Sequence, residues 1–252
     1  MKTYALVGHP CKHSLSPVIH NAAFQALEIP AKFEIYDTEN LQDFMEKVRA
    51  GEFAGGSVTM PFKNEIIWHL EQISEDVREI GACNCIRGLE GFNTDWYGAL
   101  RALEEVTELN GKRVYLLGAG GAAEAIAHGL FRKNLDLIFF NRTVKPGVLP
   151  LNAIDENFDI LINATSCGFK SDESCVPKEI LGPDKVVMDV VYEPLETKLI
   201  KEAAEAGATV ITGEKMLLYQ GFQAFEIWTG EAAPADVMKD ALYSSLRNSD
   251  PD

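Results

Sequence analysis

The chain has 252 residues, 46% of them hydrophobic, which is enough to bury one large core or two modest ones, and two compact units are expected. A formal charge of −15 disfavours nucleic acid and anionic membrane as partners; a phosphorylated cofactor stays compatible, because it needs only a local nest of N–H groups and a few cations. No apolar run approaches the roughly 20 residues that span a bilayer, and the first apolar stretch breaks at His9-Pro10, so a cytoplasmic chain with no leader is expected.

Taken in order, the pattern predicts a strand at Thr3 to Gly8, a helix at Pro17 to Leu27, a strand at Lys32 to Tyr36 and a helix at Leu41 to Ala50. Strands at Gly56 to Thr59 and Cys83 to Arg87 follow. After the turn signal Asn110-Gly111 the alternation restarts with a strand at Arg113 to Leu117 and a helix at Gly121 to Arg132. Leu135 to Phe140, Ile160 to Ala164, Val186 to Val190 and Thr209 to Ile211 are short and largely apolar, as parallel strands covered on both faces must be. Helices at about Lys215 to Trp228 and Ala235 to Leu246 close the chain, with a polar tail from about Asn248. Five cysteines (Cys11, Cys83, Cys85, Cys167 and Cys175) form no CxxC, so reduced thiols are expected and a metal site is not.

Gly118-Ala119-Gly120-Gly121-Ala122-Ala123 follows a predicted strand and opens a predicted helix, which fits G-x-G-x-x-G/A. Gly118 permits the tight turn, Gly120 lets the backbone approach a pyrophosphate, and the helix amino terminus faces the phosphates with unspent N–H groups. The next strand ends in Asn141-Arg142-Thr143, with no acidic residue for a ribose 2′-hydroxyl. Arg142, with Thr143 and Lys145, is suited instead to a 2′-phosphate, which points to NADP.

The first half carries Ser14-Leu15-Ser16-Pro17, Val58-Thr59-Met60-Pro61-Phe62-Lys63, Gly81-Ala82-Cys83-Asn84 and Asn93-Thr94-Asp95. Each also has a plain structural reading. Ser16 before Pro17 is suited to an N-cap, Asp95 or Thr94 to capping a helix from Trp96, Asn84 to a turn, and Lys63 to a solvated surface.

Together with the dinucleotide turn these segments resemble the shikimate dehydrogenase family over nearly the whole chain. Asn163-Ala164-Thr165-Ser166-Cys167-Gly168, Tyr192 within Asp189 to Pro194, and Met216-Leu217-Leu218-Tyr219-Gln220 extend the ordered matches. The resemblance implies an α/β fold with an amino-terminal substrate domain, residues 1-98 completed by carboxy-terminal helices in 213-252. A Rossmann-type doubly wound parallel sheet at 99-212 would bind NADP. It further implies that Ser14 and Ser16 hold a substrate carboxylate with Tyr192 nearby, and that Thr59, Lys63, Asn84, Asp95 and Gln220 hold ring hydroxyls. Lys63 and Asp95 would carry the acid–base chemistry. Gly118, Ala119, Gly120, Gly121, Ala122, Asn141, Arg142 and Thr143 would bind the cofactor. Asn163, Thr165 and Ser166 would line its groove, and Gly213 and Met216 would lie near the nicotinamide.

Met216 and Gln220 are one helical turn apart and share a face, while ordinary core packing is the alternative for Met216. The chain departs from the family at Ser57, where Asn is usual, and at Cys85, often Thr; Lys145 sits at a slightly shifted spacing. The activity implied is reversible NADP-dependent reduction of 3-dehydroshikimate to shikimate. A quinate or dual quinate/shikimate dehydrogenase is the alternative within the class, and a silent regulatory binding protein of the same fold the alternative outside it. The oligomeric state stays open, a homodimer included.

Overall fold

The computed structural model describes residues 1–249; the expected polar tail lies outside the described residues except for Asn248 and Ser249, which close the last helix. The chain forms two compact units, Met1–Thr94 with the segment from Gln220 onward, and Asp95–Tyr219. These divisions stand beside expected limits at 98/99 and 212/213.

In the first unit β1 (Lys2–Gly8), α1 (Ser16–Ala26), β2 (Ala31–Asp37), α2 (Leu41–Arg49) and β3 (Gly55–Val58) alternate as anticipated. β4 (Gln72–Ile73), α3 (Glu75–Ile80), β5 (Cys85–Arg87) and β6 (Glu90–Phe92) complete it. The sheet runs β2-β1-β3-β5-β6-β4, with β1 parallel to both β2 and β3 and with antiparallel pairs β3·β5 and β5·β6. β4, α3 and β6 go beyond the expected elements. They are too short for periodicity to register, and α3 rests on a Ser74 cap that accepts from the Val77 N–H. β5 starts two residues later than the expected Cys83, because the Cys83 N–H donates to Lys63 O (2.7 Å) and the Asn84 N–H to Phe92 O (3.2 Å).

One apolar layer of this unit gathers Leu41, Phe44, Met45 and Val48 of α2, spaced as one helical face, with Ala5, Val7, Val58, Ile66, Val77 and Ile86. Elsewhere in the unit Tyr4 stacks on Phe24 and Trp228 at 5.6 and 5.1 Å, and the Trp228 indole N–H donates to Ile86 O at 3.0 Å. Those contacts tie the chain's last helices to its first strand.

The second unit contains α4 (Asp95–Glu104), β7 (Arg113–Leu117), α5 (Gly121–Phe131), β8 (Asp136–Asn141), β9 (Val148–Pro150), β10 (Ile160–Asn163), β11 (Val186–Asp189), α6 (Lys198–Glu205) and β12 (Thr209–Ile211). α7 (Gly213–Thr229) begins in this unit and from Gln220 onward belongs, with α8 (Ala235–Ser249), to the first. The sheet of the second unit is parallel throughout in the order β12-β11-β10-β7-β8-β9, the doubly wound order whose direction reverses between β7 and β10. β9 and α6 add to the expected set. β9 is three residues long, and α6 is an eight-residue helix that starts from a Thr197 cap shortly after Pro194. Apolar layers cover the sheet, one built on Val114, Leu116, Ile160 and Ile162, the other on Tyr115, Leu117, Leu161 and Val187. Among the described residues no helix is long and apolar enough to cross a membrane, and all five cysteines are free thiols.

Candidate active site

In the first unit, the candidate residues sit beyond the carboxyl ends of the parallel strands, where open α/β sheets bind ligands. β1 ends at Gly8, and Ser14 and Ser16 follow in its loop and the first turn of α1. The capping reading of Ser16 fails here. The helix starts at Ser16 itself, its N-cap position is Leu15, and no side chain caps it. The two hydroxyls instead pair at 3.2 Å, and the Ser16 N–H donates to Ser14 Oγ at 3.2 Å. The loop is held from below by Asp37, which ends β2. Its carboxylate accepts the Cys11 N–H at 2.7 Å and contacts His9 Nδ1 at 2.8 Å, and the Ser14 N–H donates to Cys11 O. The Cys11 amide, followed by His9, pulls the Asp37 carboxyl down to about 2, while burial and Asp37 push the Cys11 thiol up to about 11.

Thr59 and Lys63 lie in the loop after β3, which the backbone locks to β1 and to the segment carrying Asn84. The Thr59 N–H donates to Val7 O, the Val58 N–H to Asn84 O, and the Cys83 N–H to Lys63 O, all within 2.9 Å. Asn84 is buried and not a solvated turn residue. Its Oδ1 accepts the Thr94 N–H at 2.6 Å, and its Nδ2 donates to Thr94 Oγ1 at 3.0 Å and to Gln220 Oε1 at 3.4 Å. Thr94 Oγ1 also reaches Gln220 Oε1 at 3.4 Å. Asn84 and Gln220, 136 positions apart, are thus brought together, and Thr94 joins them. Sequence reading allows Thr94 only a capping role. Lys63 is half-buried.

In the second unit, Asp95 is 5% exposed in the first turn of α4, where the helix dipole favours a carboxylate. Gly118 follows β7 with φ +122, and a Cβ there would come within 2.8 Å of Ala164 O, so no other residue fits. Around Gly120 the space is open, with nothing within 4 Å of a Cβ position, and Gly120 is the N-cap residue of α5, which has no side-chain cap. That is a cradle a side chain would fill, at a helix start whose N–H groups face outward. Ala119, Gly121 and Ala122 complete the turn. At the end of β8 the Asn141 amide donates to Thr143 O at 3.3 Å, and the Arg142 and Thr143 side chains are exposed.

The loop after β10 lies against this turn. Thr165 Oγ1 donates to Asn163 Oδ1 at 2.6 Å and accepts the Cys167 N–H at 3.1 Å, leaving Ser166 exposed. Asn163 itself is fully buried, its Nδ2 spent on Cys167 O and on Asp189 Oδ1. It is therefore not a surface residue. The Cys175 thiol hydrogen-bonds Cys167, which lowers the Cys167 pKa and raises that of Cys175. Tyr192 follows β11, half-buried. Gly213 has no room for a Cβ, which would meet Val190 O at 2.4 Å, and Met216 is packed in the core with Ile211 and Ala99. Two residues that sequence reading passes over are Asp37 and Asp189. Each is the carboxylate that ends its strand, and that position is the available signal.

Residues 6–86 match the family model described as shikimate dehydrogenase substrate binding domain, and residues 213–243 the one described as shikimate 5'-dehydrogenase C-terminal domain. The chain is 41% identical to a shikimate dehydrogenase (NADP(+)) of Pyrococcus furiosus, covering 98% of this chain and 97% of that one. A crystal structure of a shikimate dehydrogenase in complex with NADP+ superposes with TM-score 0.92 at 38% identity, covering 98% and 96% of the two chains. A Thermus thermophilus shikimate 5-dehydrogenase in complex with NADP(H) and shikimate gives 0.89 at 34%, covering 98% and 100%.

Proposed function

The chain belongs to the shikimate dehydrogenase family, and from that premise we propose that it catalyses the reversible NADP-dependent reduction of 3-dehydroshikimate to shikimate, a step of chorismate and aromatic amino-acid biosynthesis. The observation that carries the reading furthest is the phosphate cradle at the switch point of a doubly wound sheet, in a chain 41% identical over 98% of its length to an NADP-dependent shikimate dehydrogenase. A cytoplasmic setting accords with five free thiols.

The residues fit the cofactor. The open space at Gly120 and the uncapped start of α5, with Gly118, Ala119, Gly121 and Ala122, suit a pyrophosphate, and Arg142 with Asn141 and Thr143 suits a 2′-phosphate. Thr165 and Ser166 would line the groove with Asn163 fixing them from behind, and Gly213 and Met216 would border the nicotinamide. When bound, NADP supplies the hydride acceptor for the alcohol and, in the opposite direction, the hydride donor.

The protein's own work is to bind, orient and move a proton. Ser14 and Ser16, already paired, offer two hydroxyls to the substrate carboxylate, with Tyr192 assigned to the same group. Thr59, Asn84 and Gln220 would hold ring hydroxyls, a role suited to side chains fixed by backbone and amide bonds. In the reduction the Lys63 ammonium would stabilise negative charge developing on the carbonyl oxygen and give that oxygen a proton, and in the oxidation the neutral amine would take the hydroxyl proton. Asp95, in the first turn of α4, is the carboxylate assigned to the same acid–base chemistry.

The test is absorbance at the reduced-nicotinamide band with shikimate and then quinate, each under NADP and NAD. Rapid NADP reduction with shikimate is expected. Faster turnover of quinate would transfer the assignment to that substrate, since a pocket rejects an added hydroxyl only weakly. Absence of turnover with both would remove the enzymatic reading.

A further inference from the structure

Asp189 is the last residue of β11 and is fully buried. Its carboxylate accepts three hydrogen bonds, and the donors come from three different segments. Asn163 Nδ2, at the end of β10, donates to Oδ1 at 2.9 Å. The Val191 N–H, in the turn that leads to Tyr192, donates to the same oxygen at 3.0 Å. Thr197 Oγ1, the cap of α6, donates to Oδ2 at 2.7 Å. Since all three partners donate, the arrangement is built for a carboxylate acting only as acceptor.

The Asn163 bond reaches further than one residue. Asn163 Oδ1 accepts both the Thr165 N–H at 3.1 Å and the Thr165 hydroxyl at 2.6 Å, and Thr165 Oγ1 accepts the Cys167 N–H. The rotamer of Asn163, and with it the loop from 163 to 167, is therefore set by Asp189. On its other side the same oxygen fixes the backbone one residue before Tyr192. A buried carboxylate is a costly way to fill space, and an apolar residue of similar volume would do that at lower cost. The carboxylate makes sense where two loops must be held in one fixed relation.

We propose that Asp189 is a positioning residue that holds the loop of Thr165 and Ser166 and the turn of Tyr192 from a single carboxylate, and so sets NADP affinity and substrate affinity together. This rests on the cofactor role of Thr165 and Ser166 and the substrate role of Tyr192 given above. Neither loop keeps its geometry when the shared acceptor is removed.

The experiment compares the full-length parent with Asp189→Ala, Asp189→Asn and Asn163→Ala, with circular dichroism and thermal midpoint recorded for each. Asp189→Ala is expected to raise KM for NADP and for shikimate, each by about tenfold or more, with a smaller fall in kcat. Asp189→Asn should stay within about threefold of the parent in both, because the amide keeps an acceptor oxygen for Asn163 and Val191 while its NH₂ donates to Thr197 Oγ1. Asn163→Ala should raise KM for NADP alone. A folded Asp189→Ala with both KM values unchanged overturns the proposal. So does Asn163→Ala with an unchanged KM for NADP, which decides the matter if Asp189→Ala does not fold. Should the parent bind NADP by calorimetry yet turn over no shikimate, the functional reading has failed by itself, and NADP affinity of Asp189→Ala and Asn163→Ala still judges the cofactor arm.

Discussion

Ser57 and Cys85 stand directly opposite one another in the antiparallel pair of β3 and β5. At both positions the resemblance leads to the expectation of another residue, Asn at 57 and often Thr at 85, so those two expected departures form one contact and not two separate ones. Both are buried, and among the described residues the Ser57 hydroxyl has no hydrogen-bond partner. A buried hydroxyl without a partner costs stability. Ser57→Ala is therefore expected to leave stability unchanged or raise it by about 1 kcal/mol, read from the urea midpoint at constant slope. A loss of more than about 1 kcal/mol would mean that the hydroxyl has a partner after all.

Gly118→Ala is expected to damage the cofactor half alone. Its Cβ would press on Ala164 O at 2.8 Å from a backbone of φ +122, so the turn must move. The strain is on the order of 1–3 kcal/mol, and NADP affinity should fall by about tenfold or more while the shikimate KM stays near the parent value. Tight NADP binding by a folded Gly118→Ala protein would count against the cradle.

Lys63→Ala should lower kcat by roughly 10²–10⁴-fold with a smaller change in KM, as loss of a general acid–base group does. The loop keeps backbone support after the change, because the Lys63 carbonyl accepts the Cys83 N–H. Parent-like turnover in this variant would remove Lys63 from the chemistry.

Cofactor choice should reside at the end of β8. Arg142 is exposed there and no carboxylate neighbours it in sequence, so a charge-assisted bond to a 2′-phosphate contributes roughly 1.5–3 kcal/mol, or about tenfold to 150-fold in kcat/KM for NADP over NAD. Arg142→Ala should erase most of that ratio by raising KM for NADP, and added salt should shrink the ratio in the parent. A variant whose preference is intact would place the discrimination elsewhere.

Burial raises the Asp189 carboxyl from 3.8 in the unfolded chain to about 6 in the folded one, against the lowering effect of Thr197, Val191 and Asn163. The folded state therefore holds this proton more tightly than the unfolded state. The resulting stabilisation is complete below pH ~3.8 and is lost as pH rises to about 6. Across that window the parent should lose on the order of 3 kcal/mol relative to Asp189→Asn, which has no such proton. Urea midpoints of the two proteins between pH 4 and 7 test this, and parallel curves would show that burial does not shift the group.

Much of this protein was legible in its linear sequence, because several determinants are local. Gly118-Ala119-Gly120 reads as a phosphate turn since only glycine tolerates that backbone and that approach, and the apolar runs at 113–117, 160–163 and 186–189 read as parallel strands since both of their faces are covered. Ordered motifs named the candidate residues for the same reason. Short elements such as β4, β6 and β9 escaped, because two or three residues show no period and depend on a neighbouring strand to exist. What only the tertiary structure decided are relations between distant positions. Asn84 meets Gln220 across 136 residues, and Asp189 reaches back to Asn163 across 26. A hydrogen bond is a statement about two groups, and when the chain path joining them runs through the whole sheet, neither group's own sequence neighbourhood records the other.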